Sequence, residues 1–548
     1  MKKTLLTTAL LTVFTLNANA APQDNAGSIL RQVEEKRLPE LAAPISPVQM
    51  EESNTISQDS TPFTVSEVRL QGNSLLPAQQ IQPLLDELTG KTVALGDLQG
   101  LANKINQLYT QAGYPLVSVV VPAQTVENGV VTLSVIESQI VGVEINNQSR
   151  LKDSRVAAFV NQAIRPNEHL NQAQSEQALL LLKDLAGTSD VNYRLTGTNT
   201  GTVVGVDLSP APLIDGAVSV DNYGSKSTGR VRTRGNLNIN SPLGFGEKMS
   251  VQAMSSFKGV DYAALGVDVP VGYNGLSVGA NVSHTRYDLG GDFKDLDATG
   301  NATAVSGSVY YPLLRSNRHN VWLTGGVENR HLRDEVGATD TVTRKEINAG
   351  NIGIGASLQD NVLAGGLTSL NLTNTFGHLK FKDADAEQID KVSAKTAGSF
   401  YKLNASVGRT QYFTPKLSAY LGVQGQIANK NLDSAEQLSL GGADAVAAYH
   451  ANDVSVDEGV IAQMQLSYAI TPYVSVYGFY DAGRGRLHDK PYIAGANNIA
   501  SIQGGGIGLN AQYKGFNLQS KIAWHGHEKN GIESKKNAQF WVKAGYRF

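Results

Sequence analysis

The chain has 548 residues and no cysteine. Disulfide staples and thiolate metal sites are therefore excluded. Past residue 20 there is no run of about 18 apolar residues, which excludes a membrane-spanning helix. Charge is nearly balanced, with 46 Lys and Arg against 49 Asp and Glu. Nucleic-acid binding leans on a basic surplus, so that partner is not indicated. Tryptophan is scarce at 3, while Tyr reaches 20 and Gly 55. Slightly negative mean hydropathy fits a soluble protein, but also a barrel that hides its apolar face by alternation.

The closing segment decides between the two. In 516–548, Phe516, Leu518, Ile522 and Trp524 share one parity, and Asn517, Gln519, Lys521 and His525 the other. In the last run Phe540, Val542, Ala544, Tyr546 and Phe548 fall on one face, with Lys543 and Arg547 opposite. Successive strand side chains point to opposite faces. An apolar outside, a charged inside and an aromatic end are the pattern of a membrane-spanning β-barrel.

The first twenty residues, MKKTLLTTALLTVFTLNANA, read as a secretory signal peptide. Lys2 and Lys3 form its basic start, Leu5 to Leu16 its apolar stretch, and Ala18-Asn19-Ala20 its cleavage site. Residues 24–37 read as a short helix with a narrow stripe of Ile29, Leu30 and Val33. So polar a helix is expected to pack weakly and to suit a wet environment. Residues 38–61 hold Pro39, Pro44 and Pro47 and then a polar stretch, which reads as a linker. At ~3.3 Å per residue it reaches ~80 Å, more than the ~45 Å of a bilayer.

Residues 62–210 change character. The order strand, helix, helix, strand, strand occurs twice, over 62–138 and 139–210, as an internal repeat. Ile81, Leu84, Leu85 and Leu88, then Leu98, Leu101, Ile105, Leu108 and Tyr109, give the first module its helical core spacing. From 211 to 548 the chain is strand and turn, with about sixteen candidate strands. The segment 230–240 shows why they enclose a wet lumen. Arg230, Arg232 and Arg234 share a face, and each would cost ~2–4 kcal/mol at the membrane midplane. Polar stretches at 286–301, 379–399, 430–456 and 484–500 are expected to be outer loops.

Two constellations resemble one family. The stretch 113–139 places Gly113, Tyr114, Pro115, Pro122, Gln124, Gly129 and Glu137 as in the polypeptide-transport-associated (POTRA) domain of two-partner secretion transporters, the TpsB family of haemolysin secretion/activation proteins. Ser138 stands where the family usually has Gly. Asp221-Asn222-Tyr223-Gly224 with Thr228-Gly229-Arg230 resembles the first barrel hairpin of the same family. The resemblance implies a plug helix at 21–37, two POTRA domains at 62–138 and 139–210, and a sixteen-stranded antiparallel barrel at 211–548. It also implies an inward-folding loop tipped by Val-Arg-Gly-Tyr or Val-Arg-Ala-Tyr. The matching residues are Val446, Ala447, Ala448 and Tyr449, so the tip arginine is missing. The aspartate it would pair with is present in Phe479, Asp481 and Gly483. The loop is therefore expected to be held more loosely or by another cation, with Arg484, Arg486, the luminal arginines and His450 as candidates.

The function implied is an outer-membrane pore for one large TpsA-type exoprotein: a haemolysin, an adhesin or a contact-dependent growth-inhibition toxin. The other implied partners are outer-membrane lipid and the barrel-assembly machinery, which would read the terminal Tyr546 and Phe548. A barrel-assembly factor of the same superfamily is the alternative. No cofactor, catalytic residue or metal is expected. His525-Gly526-His527-Glu528 reads as a barrel-end turn, and the Gly504–Gly508 run lacks the strand-to-helix setting of a dinucleotide loop.

Overall fold

The computed structural model describes residues 24–34, 61–198, 200–493, 495–526 and 538–548. The signal peptide at 1–20 lies outside the described residues, as do the linker at 38–61 apart from residue 61, and His527 and Glu528. The first described helix is α1 (Ala26–Val33). Asn25 caps it, accepting from the Ser28 N–H at 3.0 Å while the Ser28 hydroxyl accepts from the Asn25 N–H at 3.0 Å.

Two α+β modules follow. The first holds β1 (Phe63–Thr64), β2 (Glu67–Gln71), α2 (Ala78–Asp86), β3 (Thr92–Val93), α3 (Leu95–Gln111), β4 (Val117–Val120) and β5 (Val130–Glu137). Its main sheet runs β2-β5-β4, with β1 paired to β3 alongside. Ile81, Leu101, Ile105 and Leu133 meet in the core. The second module repeats the plan with β6 (Ile140–Asn147), α4 (Asp153–Ala163), α5 (Gln172–Lys183), β7 (Thr188–Thr198) and β8 (Gly201–Pro210), in the sheet order β6-β8-β7.

The 113–137 stretch has local physical reasons. Gly113, at φ +91°, ends α3 in a Schellman motif. The Tyr114 N–H reaches the Tyr109 carbonyl at 2.9 Å, and the Gly113 N–H reaches that of Thr110 at 3.0 Å. Pro115 lies in the turn that leads into β4. Extending the β4–β5 register beyond Val120 opposite Ser134 puts Pro122 opposite Thr132. Proline has no N–H to give. The Gln124 side chain replaces it, donating to the Thr132 carbonyl at 2.7 Å and accepting from its N–H at 2.8 Å. A Cβ on Gly129 would sit 2.7 Å from the Thr64 carbonyl oxygen.

Glu137 ties β5 to the turn before α2. It accepts from the Ser74 and Leu75 N–H groups at 2.8 and 3.0 Å, from the Ser74 hydroxyl, and from the Tyr109 hydroxyl at 3.1 Å.

The barrel strands are β9 (Ile214–Asp221), β10 (Arg232–Asn240), β11 (Lys248–Ser255), β12 (Val260–Val271), β13 (Leu276–Asp288), β14 (Ala298–Arg315), β15 (His319–Val336), β16 (Thr341–Asp360), β17 (Gly366–Phe381), β18 (Gly398–Tyr412) and β19 (Leu417–Ala428). A short hairpin, β20 (Leu438–Ser439) and β21 (Ser455–Val456), lies within the next loop. The wall resumes with β22 (Glu458–Thr471), β23 (Val474–Arg486), β24 (Ile499–Tyr513), β25 (Phe516–His525) and β26 (Ala538–Arg547). These sixteen wall strands close antiparallel, with β26 pairing β9 from Lys543 opposite Asp221 to Arg547 opposite Ala217. Phe548 completes the seam by exchanging backbone hydrogen bonds with Gly216 at 3.0 and 3.1 Å.

The alternation holds around the wall. Val218, Val220, Phe516, Trp524, Phe540, Tyr546 and Phe548 face outward and are exposed. Two expectations are corrected. Arg230 lies in the turn before β10, its carbonyl accepting from the Gly224 N–H at 3.0 Å, so only Arg232 and Arg234 sit on the strand. The stretches at 286–301 and 379–399 are only partly loop, because β13 and β14 run into the first and β17 and β18 into the second. At ~3.3 Å per residue, the 20 residues of β16 extend ~65 Å and the 8 of β9 only ~26 Å. The long strands rise past the ~30 Å of hydrocarbon. There their outer face turns polar, with Asn329 donating to Asn348 at 2.7 Å. Polar residues on both faces erase the alternation that marks a strand in the sequence.

The first module should depend on Glu137. Burial pushes its carboxyl up, but the donors from Ser74, Leu75 and Tyr109 outweigh that and hold it below the ordinary value. This stability is present above the unfolded-state value of about 4.3 and is lost as pH falls through the lower folded value. Glu137→Gln is expected to destabilise the module by about 1–3 kcal/mol at pH 7. Hydrogen exchange across 63–137 should show it, with a smaller penalty at acid pH.

Candidate functional site

The lumen is filled by two pieces of the chain. Helix α1 lies inside the barrel, with Ala26, Ile29, Leu30 and Val33 buried among Tyr262, Ala264, Leu289, Ala298 and Ala302. The narrow stripe is therefore fully used, contrary to the expectation of weak packing. Each large apolar side chain removed from water contributes about 1.5–3 kcal/mol. The barrel also complements the helix dipole. The Asp334 carboxylate accepts from the Ala26 N–H at 2.7 Å at the first turn, and Arg234 donates to the Val33 carbonyl at 3.0 Å at the last.

The second piece is the loop between β19 and β22. Its root is fixed by charge. Asp433 pairs with Lys345 at 2.7 Å, and Glu436 with Arg330 at 2.9 Å and Lys402 at 2.6 Å. Asp457, fully buried, accepts from the Leu432 N–H at 3.2 Å, the Gln437 side chain at 2.9 Å and the Asp489 N–H at 3.0 Å. Charged pairs this dry are costly to break from one side, about 3–5 kcal/mol each.

The tip is buried without an arginine. Val446, Ala447, Ala448 and Tyr449 are all at most 3 % exposed. Asp481 faces inward and accepts from the Ala447 N–H at 3.2 Å and from Gln463. The tip carbonyls are held from β25 and β26, two and three strands further along the wall. Trp541 Nε1 donates to Ala447 O at 2.6 Å, His525 Nε2 lies 2.5 Å from Ala448 O, and Lys521 donates to Ala443 O. The Tyr449 and His525 rings are 4.6 Å apart.

The candidate cations proposed for Asp481 are placed elsewhere. Arg484 and Arg486 have the outward parity of β23, and Arg486 pairs with Glu458 at 3.3 Å. Arg232 pairs with Asp221 at 2.8 Å. His450 stacks edge-on to Trp541 at 5.4 Å. The luminal cation facing Asp481 is Lys521.

The Gly-rich stretch of β24 is a bed for this assembly. A Cβ on Gly504 would sit 2.4 Å from the Ala448 Cβ, one on Gly506 2.7 Å from the Phe479 ring, and one on Gly508 2.2 Å from the Tyr477 ring. Gly483 packs in the same way under Val446.

Helix and loop are locked to each other through Arg31. Its guanidinium donates to Ser434 O at 2.8 Å and to Gln437 O on one arm of the loop. On the other arm it donates to Asn452 Oδ1 at 2.7 Å and Ser455 Oγ at 3.2 Å. Asp24 adds the Ser225 hydroxyl at 2.9 Å, the Ser227 hydroxyl, and Asn452 at 3.3 Å, so the first hairpin joins the same knot. Arg31 carries no signal of this role in the sequence, where it reads as one polar residue among many. Trp541 did leave a signal, as the lone tryptophan on the polar parity of the last strand.

A closed sixteen-stranded barrel, plugged by its own helix and loop and carrying two small modules, defines an occluded pore of the POTRA–barrel class. The chain belongs to the haemolysin secretion/activation protein family ShlB/FhaC/HecB, whose model matches residues 200–511, with a ShlB-type POTRA domain matched at 63–138. These are outer-membrane two-partner secretion transporters with periplasmic POTRA modules. The heme/hemopexin transporter protein HuxB of Haemophilus influenzae strain 86-028NP is 25% identical, over 97% of this chain and 96% of its own. The outer membrane transporter CdiB of Dickeya dadantii is 23% identical over 84% and 82%. The solved structure of CdiB from Escherichia coli superposes with a TM-score of 0.70 at 20% identity, covering 92% of this chain and 94% of that one, which supports the shared fold.

Breaking either lock should open the pore. Arg31→Ala and Gly504→Leu are each expected to raise the open-channel fraction in planar bilayers several-fold, with the folded barrel retained on unheated gels. Conductance equal to the parent chain in both would show that neither contact holds the lumen shut.

Proposed function

We propose that this chain exports one large TpsA-type exoprotein, a haemolysin, adhesin or growth-inhibition toxin, in an extended state. Residues 1–20 act as the signal peptide, 21–37 as the plug, and 38–61 as the tether that lets the plug leave the lumen. Residues 62–138 and 139–210 receive the passenger at free sheet edges such as β2 and β6. The barrel, 211–548, contacts outer-membrane lipid. Its terminal Tyr546 and Phe548 serve as the mark read by the barrel-assembly machinery. Passage of an unfolded chain calls for no catalytic residue or cofactor.

The observation that carries this reading is the lining of the lumen toward the modules. Inward positions there pair Asn236 with Gln252, Asn351 with Thr375, and Ser406 with Gln424. These neutral amides and hydroxyls offer hydrogen bonds to any passing backbone. Relatives named as heme/hemopexin and hemolysin transporters support the same reading.

Deleting the gene in its own strain should remove one large protein from the cell surface and medium. The full chain should restore it, and a chain lacking 62–210 should not. Loss of many unrelated outer-membrane barrels would instead indicate an assembly factor. An unchanged set of external proteins with altered small-solute uptake would indicate a diffusion pore.

A further inference from the structure

The second module is not a free arm beneath the barrel. It is seated on three successive turns of the wall. On the first, Lys152 lies 3.9 Å over the Phe245 ring, and its N–H reaches the Gly244 carbonyl at 3.0 Å. On the second, Arg155 donates to the Pro270 and Gly272 carbonyls at 3.1 and 3.2 Å, and Phe159 meets Tyr273 edge-on at 5.5 Å. On the third, Arg315 grips Asp184 with two hydrogen bonds of 2.7 and 2.8 Å.

Arg315 is the most enclosed of these. Its side chain is 2 % exposed, and its remaining donors go to Asn320 Oδ1 at 3.0 Å and Ser316 O at 3.2 Å. It sits just past a register shift between Pro312 and Leu314 in the β14–β15 pair. A bulge re-aims the side chains that follow it and is a built feature of a sheet. Beside it, the Asn317 N–H meets Glu176 Oε1 at 2.5 Å. A planar guanidinium on a carboxylate fixes orientation as well as distance. Strands β13 to β15, which carry this seat at one end, also flank α1 in the lumen.

We propose that Arg315 is a positioning residue for export: its paired grip on Asp184 fixes the second POTRA module at one angle to the pore mouth, and passage depends on that angle. The consequence for export rests on the transport function proposed above; the geometry does not. The natural chain has no cysteine, so labels and crosslinks can be placed at will.

Spin labels at Asn161→Cys on α4 and Lys416→Cys in the β18–β19 turn read the angle in the full chain. The parent should give one narrow distance distribution. Arg315→Ala, and Asp184→Asn on the module side, should broaden it and lower surface exoprotein about ten-fold, with barrel folding unchanged on unheated gels. Arg315→Lys should recover only part of both. An Asn317→Cys/Glu176→Cys disulfide added to Arg315→Ala, without the spin-label cysteines, should restore export when oxidised and lose it when reduced. A narrow distribution in both weakened variants would overturn the grip itself. A broad distribution with full export, or an oxidised crosslink without rescue, would overturn its role in passage. Should no exoprotein depend on the chain at all, the label distances still decide the grip, and the failure belongs to the transport reading.

Discussion

In hydrocarbon, every backbone N–H and C=O must find its partner within the protein, and the pairing of β26 with β9 is what meets that demand here. Without it two strand edges would face lipid. With it the wall is continuous, and everything else is a consequence. The inner face is cut off from lipid, so Arg232, Lys345 and Arg330 can stand inside it. The same closure creates a hole through the membrane, which the chain has to stop with its own residues.

The stopper works by distribution. A family tip arginine would concentrate the hold on one ion pair with the strand carboxylate. Here Asp481 is met by a backbone N–H and an amide, while Trp541, His525 and Lys521 catch the tip carbonyls from β25 and β26. A neutral hydrogen bond is worth about 1 kcal/mol and one to a charged group about 1.5–3 kcal/mol, so no single contact dominates. The stronger charges sit at the loop root, at Asp433 and Glu436, and in Arg31, which bridges helix and both loop arms. Opening therefore need not break one strong bond. It requires helix and loop to let go together.

The sequence shows much of this and hides the rest for definite reasons. Period-two alternation made all sixteen wall strands legible, helical spacing marked the first module, and the repeated element order marked the second. The inward loop was visible through Val446 and Tyr449, and its strand partner through Phe479 and Asp481. What holds the tip was not visible, because its donors come from a backbone N–H and from strands more than sixty residues away. Arg31 was hidden since a polar residue on a short helix looks solvated until a lumen surrounds it. The Gly504–Gly508 run had no local meaning. It becomes intelligible only when Ala448, Phe479 and Tyr477 are seen resting on it.

The interlock of helix and loop is tested most directly by fixing it. A Cβ on Gly27 would lie 2.8 Å from the Ala435 Cβ, so Gly27→Cys with Ala435→Cys joins α1 to the loop by one short disulfide after a small shift. With the bond formed, channel openings in planar bilayers should disappear, and surface exoprotein should fall to the level of the deletion strain. Both should return on reduction. Continued export through the oxidised protein would contradict the account, since the passenger would then pass while helix and loop remain joined.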